Sequence, residues 1–241
     1  MNYKESSIDI IEGVVLSMTF PVKVLSVASV LNVHTLTVCD IYHAQPGFKV
    51  TISGNDYVIK SISGTNTMVV EGTPAVVAPV TFDLYPPYFF HGTPIQQGVE
   101  LAKEKSVSNK TPMVWFYEQF TDKFFNDQIS AVEREVTMRL FFLTQTDTDK
   151  NYTETAYQNA IEPMRRLAEN FIRQLDVPIN GVKRFNTDDL DYSMVNYHKF
   201  GVFINNKGMQ NSLWQEKLAG VEISVTLPVF RSEPCPDPNC P

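Results

Sequence analysis

The sequence predicts an α+β fold. A small all-β barrel or sandwich comes first, followed by an α+β domain whose mostly antiparallel sheet is covered by two helices. Three observations support this. Short β runs bounded by turn residues recur through residues 12–85. From Thr93 to Phe230 a capped helix, two strands, a long amphipathic helix and two more strands follow one another. No known catalytic or metal motif interrupts that order. The expected division is residues 1–88 (β-rich), 89–232 (α+β) and 233–241 (a flexible Pro/Cys tail).

In the first block the expected strands are Val14–Leu16, Val22–Val27, Thr35–Val38, Lys49–Ile52, Asp56–Ser61, Thr67–Glu71 and Pro79–Leu84. Gln45-Pro46-Gly47, Ser53-Gly54-Asn55-Asp56 and Ser63-Gly64-Thr65-Asn66 supply the turns. Gly47 to Lys60 reads as a hairpin: Val50 and Ile52 alternate with polar residues, and Tyr57 and Ile59 answer them across the turn. Tyr85 to Gly92 reads as a linker, because Pro86 and Pro87 break regular structure. Its aromatic rings are available to pack between the blocks.

The second block opens on Thr93-Pro94, an N-cap followed by proline at the first helical position. Ile95, Val99 and Ala102 give that helix a narrow apolar stripe, and it ends near Ser106–Asn109. Pro112–Phe120 is apolar on both faces, as a central strand is. Phe124 and Phe125 fall in a loop with Asp122, Asn126 and Asp127. Ala131–Gln145 alternates: Val132, Val136, Met138, Leu140 and Phe142 point one way, and Glu133, Glu135, Thr137 and Arg139 the other. Its polar face is expected to meet solvent or another subunit. Thr153–Leu175 keeps helical apolar spacing through Pro163, which should bend the helix or mark a second start. Asp176–Leu190 is turn-rich. Tyr192–Asn205 and Val221–Phe230 complete the sheet, with Val221, Ile223, Val225, Leu227 and Val229 sharing one face.

Composition narrows the function. The chain has 241 residues, 43% of them hydrophobic, enough for a sizeable core. Its 20 basic and 27 acidic residues leave a net charge of -7, which disfavours a nucleic-acid-binding surface without excluding passive contact with DNA. No apolar run is long enough for a membrane span. Lys4, Glu5, Asp9 and Glu12 make the N-terminus unlike a signal peptide. Three cysteines, Cys39, Cys235 and Cys240, do not read as a disulfide scaffold. The last two lie in a proline-stiffened tail with no further ligand for a zinc site.

Candidate chemistry is sparse. His34, Cys39, Asp40 and His43 form the spacing His-x4-Cys-Asp-x2-His, which lies in strand-and-turn territory without another Cys nearby. His198 reads as a packed or interfacial side chain. Asp188, Asp189 and Asp191 read as a solvated acidic loop, since no EF-hand spacing accompanies them. Glu133 and Glu135 lie two residues apart on one strand, about 7 Å, a separation that would suit an inverting glycosidase. With Arg134 and Arg139 beside them, a charged ladder between subunits or a charged lumen face is the simpler reading. No catalytic residue, cofactor or metal ligand is expected.

The stretches Thr93-Pro-Ile-Gln-Gln-Gly-Val-Glu-Leu-Ala102, Met113-Val-Trp-Phe-Tyr117 and Glu135-Val-Thr-Met-Arg-Leu-Phe-Phe-Leu143, the Tyr157–Leu175 helix and the final Val221–Phe230 strand carry a resemblance. In their order they resemble the tail-terminator and tail-completion (neck) proteins of long-tailed bacteriophages. That resemblance covers a little over half the chain and implies a structural virion protein, assembled in the host cytoplasm. It implies a homo-oligomeric ring, hexameric in that family, that ends the tail tube. The ring joins the tube to the head–tail connector while genomic DNA passes through its lumen. Glu133, Glu135, Arg139, Asp188, Asp189 and Asp191 are the expected ring or lumen residues. The N-terminal β block is a departure from a minimal terminator, and leaves connector, collar and baseplate positions open.

Two other classes compete. A carbohydrate- or peptidoglycan-acting enzyme would need two carboxylates with pKa values pushed apart, and Glu133 with Glu135 is the pair to nominate. A binding module would expose the aromatic rings of Tyr85–Phe90.

Overall fold

The computed structural model describes residues 6–96, 98, 111–125, 132–146, 157–179, 181–188, 190–204, 210–212 and 217–230. The chain is mostly β, as a nearly closed six-stranded sheet and a second, mixed sheet. Among the described residues no helix is long and apolar enough to cross a membrane.

The first element is a helix, α1 (Ser7–Ser17), and this corrects the expected Val14–Leu16 strand. The Ser6 hydroxyl accepts from the Asp9 backbone N–H at 3.1 Å and donates to its carboxylate at 2.6 Å, closing the first turn. Ile10, Ile11, Val14 and Val15 then fall on one buried face. The Val, Ser and Thr content from Val14 onward suggested a strand, but cap and burial outweigh a propensity difference of a few tenths of a kcal/mol.

Six strands follow: β1 (Pro21–Val30), β2 (Val33–Val38), β3 (Lys49–Ile52), β4 (Asn55–Ser63), β5 (Thr67–Gly72) and β6 (Val80–Asp83). Their order is β3-β4-β5-β2-β1-β6, antiparallel throughout. β6 runs beside β3 without a described ladder, so the barrel is nearly closed. The expected β3–β4 hairpin is present: Val50 pairs with Tyr57, and Ser53 and Gly54 turn it with φ of 50° and 80°. Val22, Val24, Leu36, Val38, Val50, Ile52, Tyr57, Ile59, Met68 and Val70 fill the interior.

The expected linker is also corrected. Tyr88–Gly92 forms strand β7, parallel to β8 (Met113–Tyr117). Thr121–Phe124, expected as loop, forms β9 and pairs with β10 (Val132–Gln145). β11 (Tyr192–Phe200), β12 (Val202–Ile204), β13 (Gln210–Ser212) and β14 (Leu218–Phe230) complete the set. The second sheet has the order β11-β14-β10-β8-β7, and only β7–β8 is parallel. Tyr192–Asn205 was expected as one strand; Gly201, at φ 73°, separates β11 from β12.

One face of this sheet is covered by helix α2 (Glu162–Gln174), entered through a π-helical turn at Tyr157–Ile161. The expected second start at Pro163 is what the chain adopts: Pro163 lies in the first turn of α2, where its missing donor costs nothing. Met164, Leu167, Ala168 and Phe171 bury against Val136, Met138, Leu140, Phe142, Val221, Ile223 and Val225. α1 packs beside α2, with Gln174 Nε2 donating to Ser17 Oγ at 3.1 Å. The Thr93 helix is described only at its start. There Gln96 Oε1 accepts from the Thr93 N–H at 2.7 Å, as in a capping box, and Ile95 is exposed. Val99 and Ala102 lie outside the described residues.

Candidate functional site

β14 puts Val221, Ile223, Val225, Leu227 and Val229 toward α2, as expected, so Gly220, Glu222 and Ser224 take the other face. On that face Trp115, Phe141, Phe200, Leu218, Met113 and Leu143 form a second apolar cluster, edged by Tyr88, Phe90, Tyr117 and Tyr197. Trp115 and Phe141 stack at 4.9 Å between centroids, and Trp115 Nε1 donates to the Gly92 carbonyl at 2.9 Å.

Within this aromatic surround Glu222 is 4% exposed. Its carboxylate accepts from Arg139 Nε at 2.5 Å, Tyr197 Oη at 2.6 Å and Ser224 Oγ at 3.2 Å. Three strands therefore meet at one anion: β10 supplies Arg139, β11 Tyr197 and β14 the carboxylate itself. The Arg139 guanidinium also lies over the Tyr117 and Phe141 rings, 5.7 and 5.4 Å from their centroids. Burial pushes the Glu222 carboxyl up, but the Arg139, Tyr197 and Ser224 hydrogen bonds outweigh it and hold it below the usual carboxylate range. Burial, and then the Glu222 carboxylate, raise the Tyr197 phenol. A carboxylate held ionised in this way is a fixed counter-charge and a poor proton donor near neutrality.

The sequence-expected residues spread over several places. Arg139 belongs to the Glu222 network. Glu135 is half-exposed and meets Lys123 across the β9–β10 ladder, Oε2 to Nζ 3.5 Å. Glu133 is buried beside a bulge between Val132 and Arg134, whose register shift interrupts the alternation that would present both carboxylates alike. Glu133 is thus buried and Glu135 half-exposed. Asp188 and Asp191 are exposed, and Asp189 lies outside the described residues. Near Asp188, Asp176 accepts from Lys183 and Thr187, each at 2.7 Å. The Lys183 and Thr187 hydrogen bonds lower the Asp176 carboxyl.

His34 and His43 are not brought together. His34, fully buried, contacts Ser29 Oγ through Nδ1 at 2.8 Å and the Gly72 carbonyl through Nε2 at 3.0 Å. His43 donates from Nε2 to the Tyr85 carbonyl at 3.1 Å and meets the Phe20 ring edge-on. Among the described residues no group of three His, Cys, Asp or Glu side chains could hold a metal. Cys39 is exposed; Cys235 and Cys240 lie outside the described residues.

Glu222 and Tyr197 went unnoticed in the sequence. For Glu222 the signal is a charged residue in an otherwise apolar strand, and its partnership with Tyr197 depends on a strand register that local sequence does not carry. No protein-family model matches the chain, and no match is found among curated proteins or solved structures.

Proposed function

We propose that this chain is a structural virion protein of a tailed bacteriophage, forming a ring, six-membered by analogy, at the junction of tail and neck. In this reading residues 89–232 are the terminator-like α+β unit, residues 1–88 an added barrel and 233–241 a tail. The ring ends the tail tube, joins it to the head connector and lets DNA through without sequence-specific contact.

The observation that carries the proposal is the long β10–β14 ribbon, backed on one side by α2 and extended by β11 and β8. Within it lie the β10 and β14 strands and the α2 helix on which the resemblance to that family was read. A cyclic ring made by one repeated heterologous contact can close a tube end, which a single protomer cannot. The net charge of -7 favours an acidic passage for DNA. Glu135, Asp188 and Asp191 are exposed or half-exposed and open to a lumen role. Arg139 is exposed as well, and is tied to Glu222 within the protomer.

Light scattering of the purified protein across concentration, with and without tail-tube protein, tests the reading. A closed assembly of about six copies is the expected result. A chain that stays monomeric with tube and connector proteins present overturns it.

A further inference from the structure

Isolated strand edges on natural monomers are usually blocked by charge, proline or a covering element, because open N–H and C=O groups recruit other strands. β1 illustrates the contrast within one strand. Its first part, Pro21–Val24, is paired with β6 and carries Pro21 and Lys23. At Leu25 a bulge shifts the β1–β2 register, and from there to Val30 only β2 is paired with it among the described residues. This open half reads Leu25-Ser-Val-Ala-Ser-Val30, with no charge and no proline. Leu25 is 52% exposed and Val30 73%.

The turn beyond it adds a second observation. Leu31 has φ 56° and is 92% exposed, so a branched side chain is held in the left-handed region and shown to solvent. Such a residue carries backbone strain and gains no burial. The turn itself is anchored: the Gly72 N–H donates to the Asn32 carbonyl at 2.9 Å, and Asn32 Nδ2 to Glu71 at 3.2 Å. An unfavourable residue on an anchored tip is the build of a docking knob.

A second open edge lies on the other sheet. β11 is terminal in its sheet and pairs only with β14 among the described residues. Its segment Tyr192-Ser-Met-Val-Asn-Tyr197 is again six uncharged residues, with Tyr192 and Val195 exposed. We infer that the Leu25–Val30 edge of one protomer, with its Leu31 tip, pairs with the Tyr192–Tyr197 edge of a second copy of this chain.

Backbone hydrogen-bonding groups along an edge accept only an extended polypeptide, and both segments are matched in length and neutrality. Six residues span about 20 Å. That contact falls well short of the roughly 800 Å² per partner of a stable interface. A single pair is therefore weak, and a closed ring, in which each protomer makes the contact twice, holds where a pair does not. The choice of β11 over a symmetric β1–β1 pair rests on the ring reading, since a two-fold pair stops at two copies.

The test uses the full chain with Cys39, Cys235 and Cys240 changed to Ser. Ala28→Cys and Val195→Cys proteins are mixed at high concentration with a short bis-maleimide and compared with each variant alone, and assembly size is measured in parallel. Covalent dimer in the mixture, at least tenfold above either variant alone, is expected. Ser26→Lys or Leu31→Gly, placed in the Ala28→Cys protein, should abolish it with circular dichroism unchanged. Dimer from Ala28→Cys alone replaces the inference with a symmetric pair. Rings without a mixed product overturn the contact and leave the ring standing. Mixed product without closed assemblies upholds the contact and removes the ring. Neither product nor assembly removes both.

Discussion

Two buried ionisable side chains, His43 and Glu222, both make the fold less stable as pH falls. His43 is 1% exposed, and burial lowers its imidazole from 6.5 to about 4, against a smaller opposing effect of the Tyr85 carbonyl. The folded state therefore prefers neutral His43, and the unfolded chain binds the proton first. Stability is unaffected above pH 6.5, falls as pH drops toward 4, and levels off below. The loss over that window is about 3 kcal/mol. His43→Gln keeps a donor for the Tyr85 carbonyl, and urea melts at several pH values should lose this slope. Glu222 contributes in the same sense at lower pH, through a carboxyl lowered in the folded state. Its stabilisation is present above the unfolded carboxylate value, about 4.3, and is lost as pH falls through the lower folded one. Removing Arg139 strands that carboxylate. Arg139→Met should cost about 1–3 kcal/mol in chemical denaturation, and Arg139→Met with Glu222→Met less than Arg139→Met alone.

Strand and helix elements are held by close approach as much as by apolar area. A Cβ built on Gly220 would lie 1.9 Å from the Phe142 carbonyl oxygen, in the ladder between β14 and β10. Backbone cannot yield as a side-chain tip can, so Gly220→Ala should be among the costliest small substitutions. A loss of about 3 kcal/mol or more, or insoluble expression, is expected. Phe171, fully buried between α2 and Phe142, is the matching large-side-chain case. Phe171→Ala should cost about 3–5 kcal/mol in thermal or urea melts. Much at this scale was legible beforehand. β3 falls at Lys49–Ile52 as expected, because alternation and turn residues agree there. α1 was misread because Ile10, Ile11, Val14 and Val15 suit either period, and only burial of one helical face distinguishes them. β7 was missed because its hydrogen bonds come from β8 across an intervening segment, and β9 because Thr121-Asp-Lys-Phe124 carries little apolar patterning.

The barrel and the mixed sheet share one continuous apolar core, joined by α1 and by loop residues 39–48. Thr144 of β10 donates to Gln45 Oε1 at 2.8 Å, a buried polar contact between residues 99 positions apart. Ser7 similarly reaches Asp122 at 2.9 Å. Thr144→Val leaves the Gln45 carbonyl without that donor and should cost about 1–3 kcal/mol. Gln45→Met with Thr144→Val should recover part of it, measured as the coupling in a double-mutant cycle. The barrel and the sheet should lose structure in one transition, with tryptophan fluorescence and far-ultraviolet circular dichroism giving coincident midpoints.

By itself the sequence determined the predominance of short strands, the hairpin at Ser53-Gly54, the apolar faces of β10 and β14, and the amphipathic α2. These follow from alternation, turn chemistry and helical spacing within about twenty residues of chain. The tertiary structure alone decided that α1 is a helix and that β7 runs parallel to β8. It alone brought Glu222 to Arg139 and Tyr197, and left the edges of β1 and β11 open among the described residues. Each of those depends on register or burial set by strands far apart in the chain, and local spacing carries no record of which strand lies alongside.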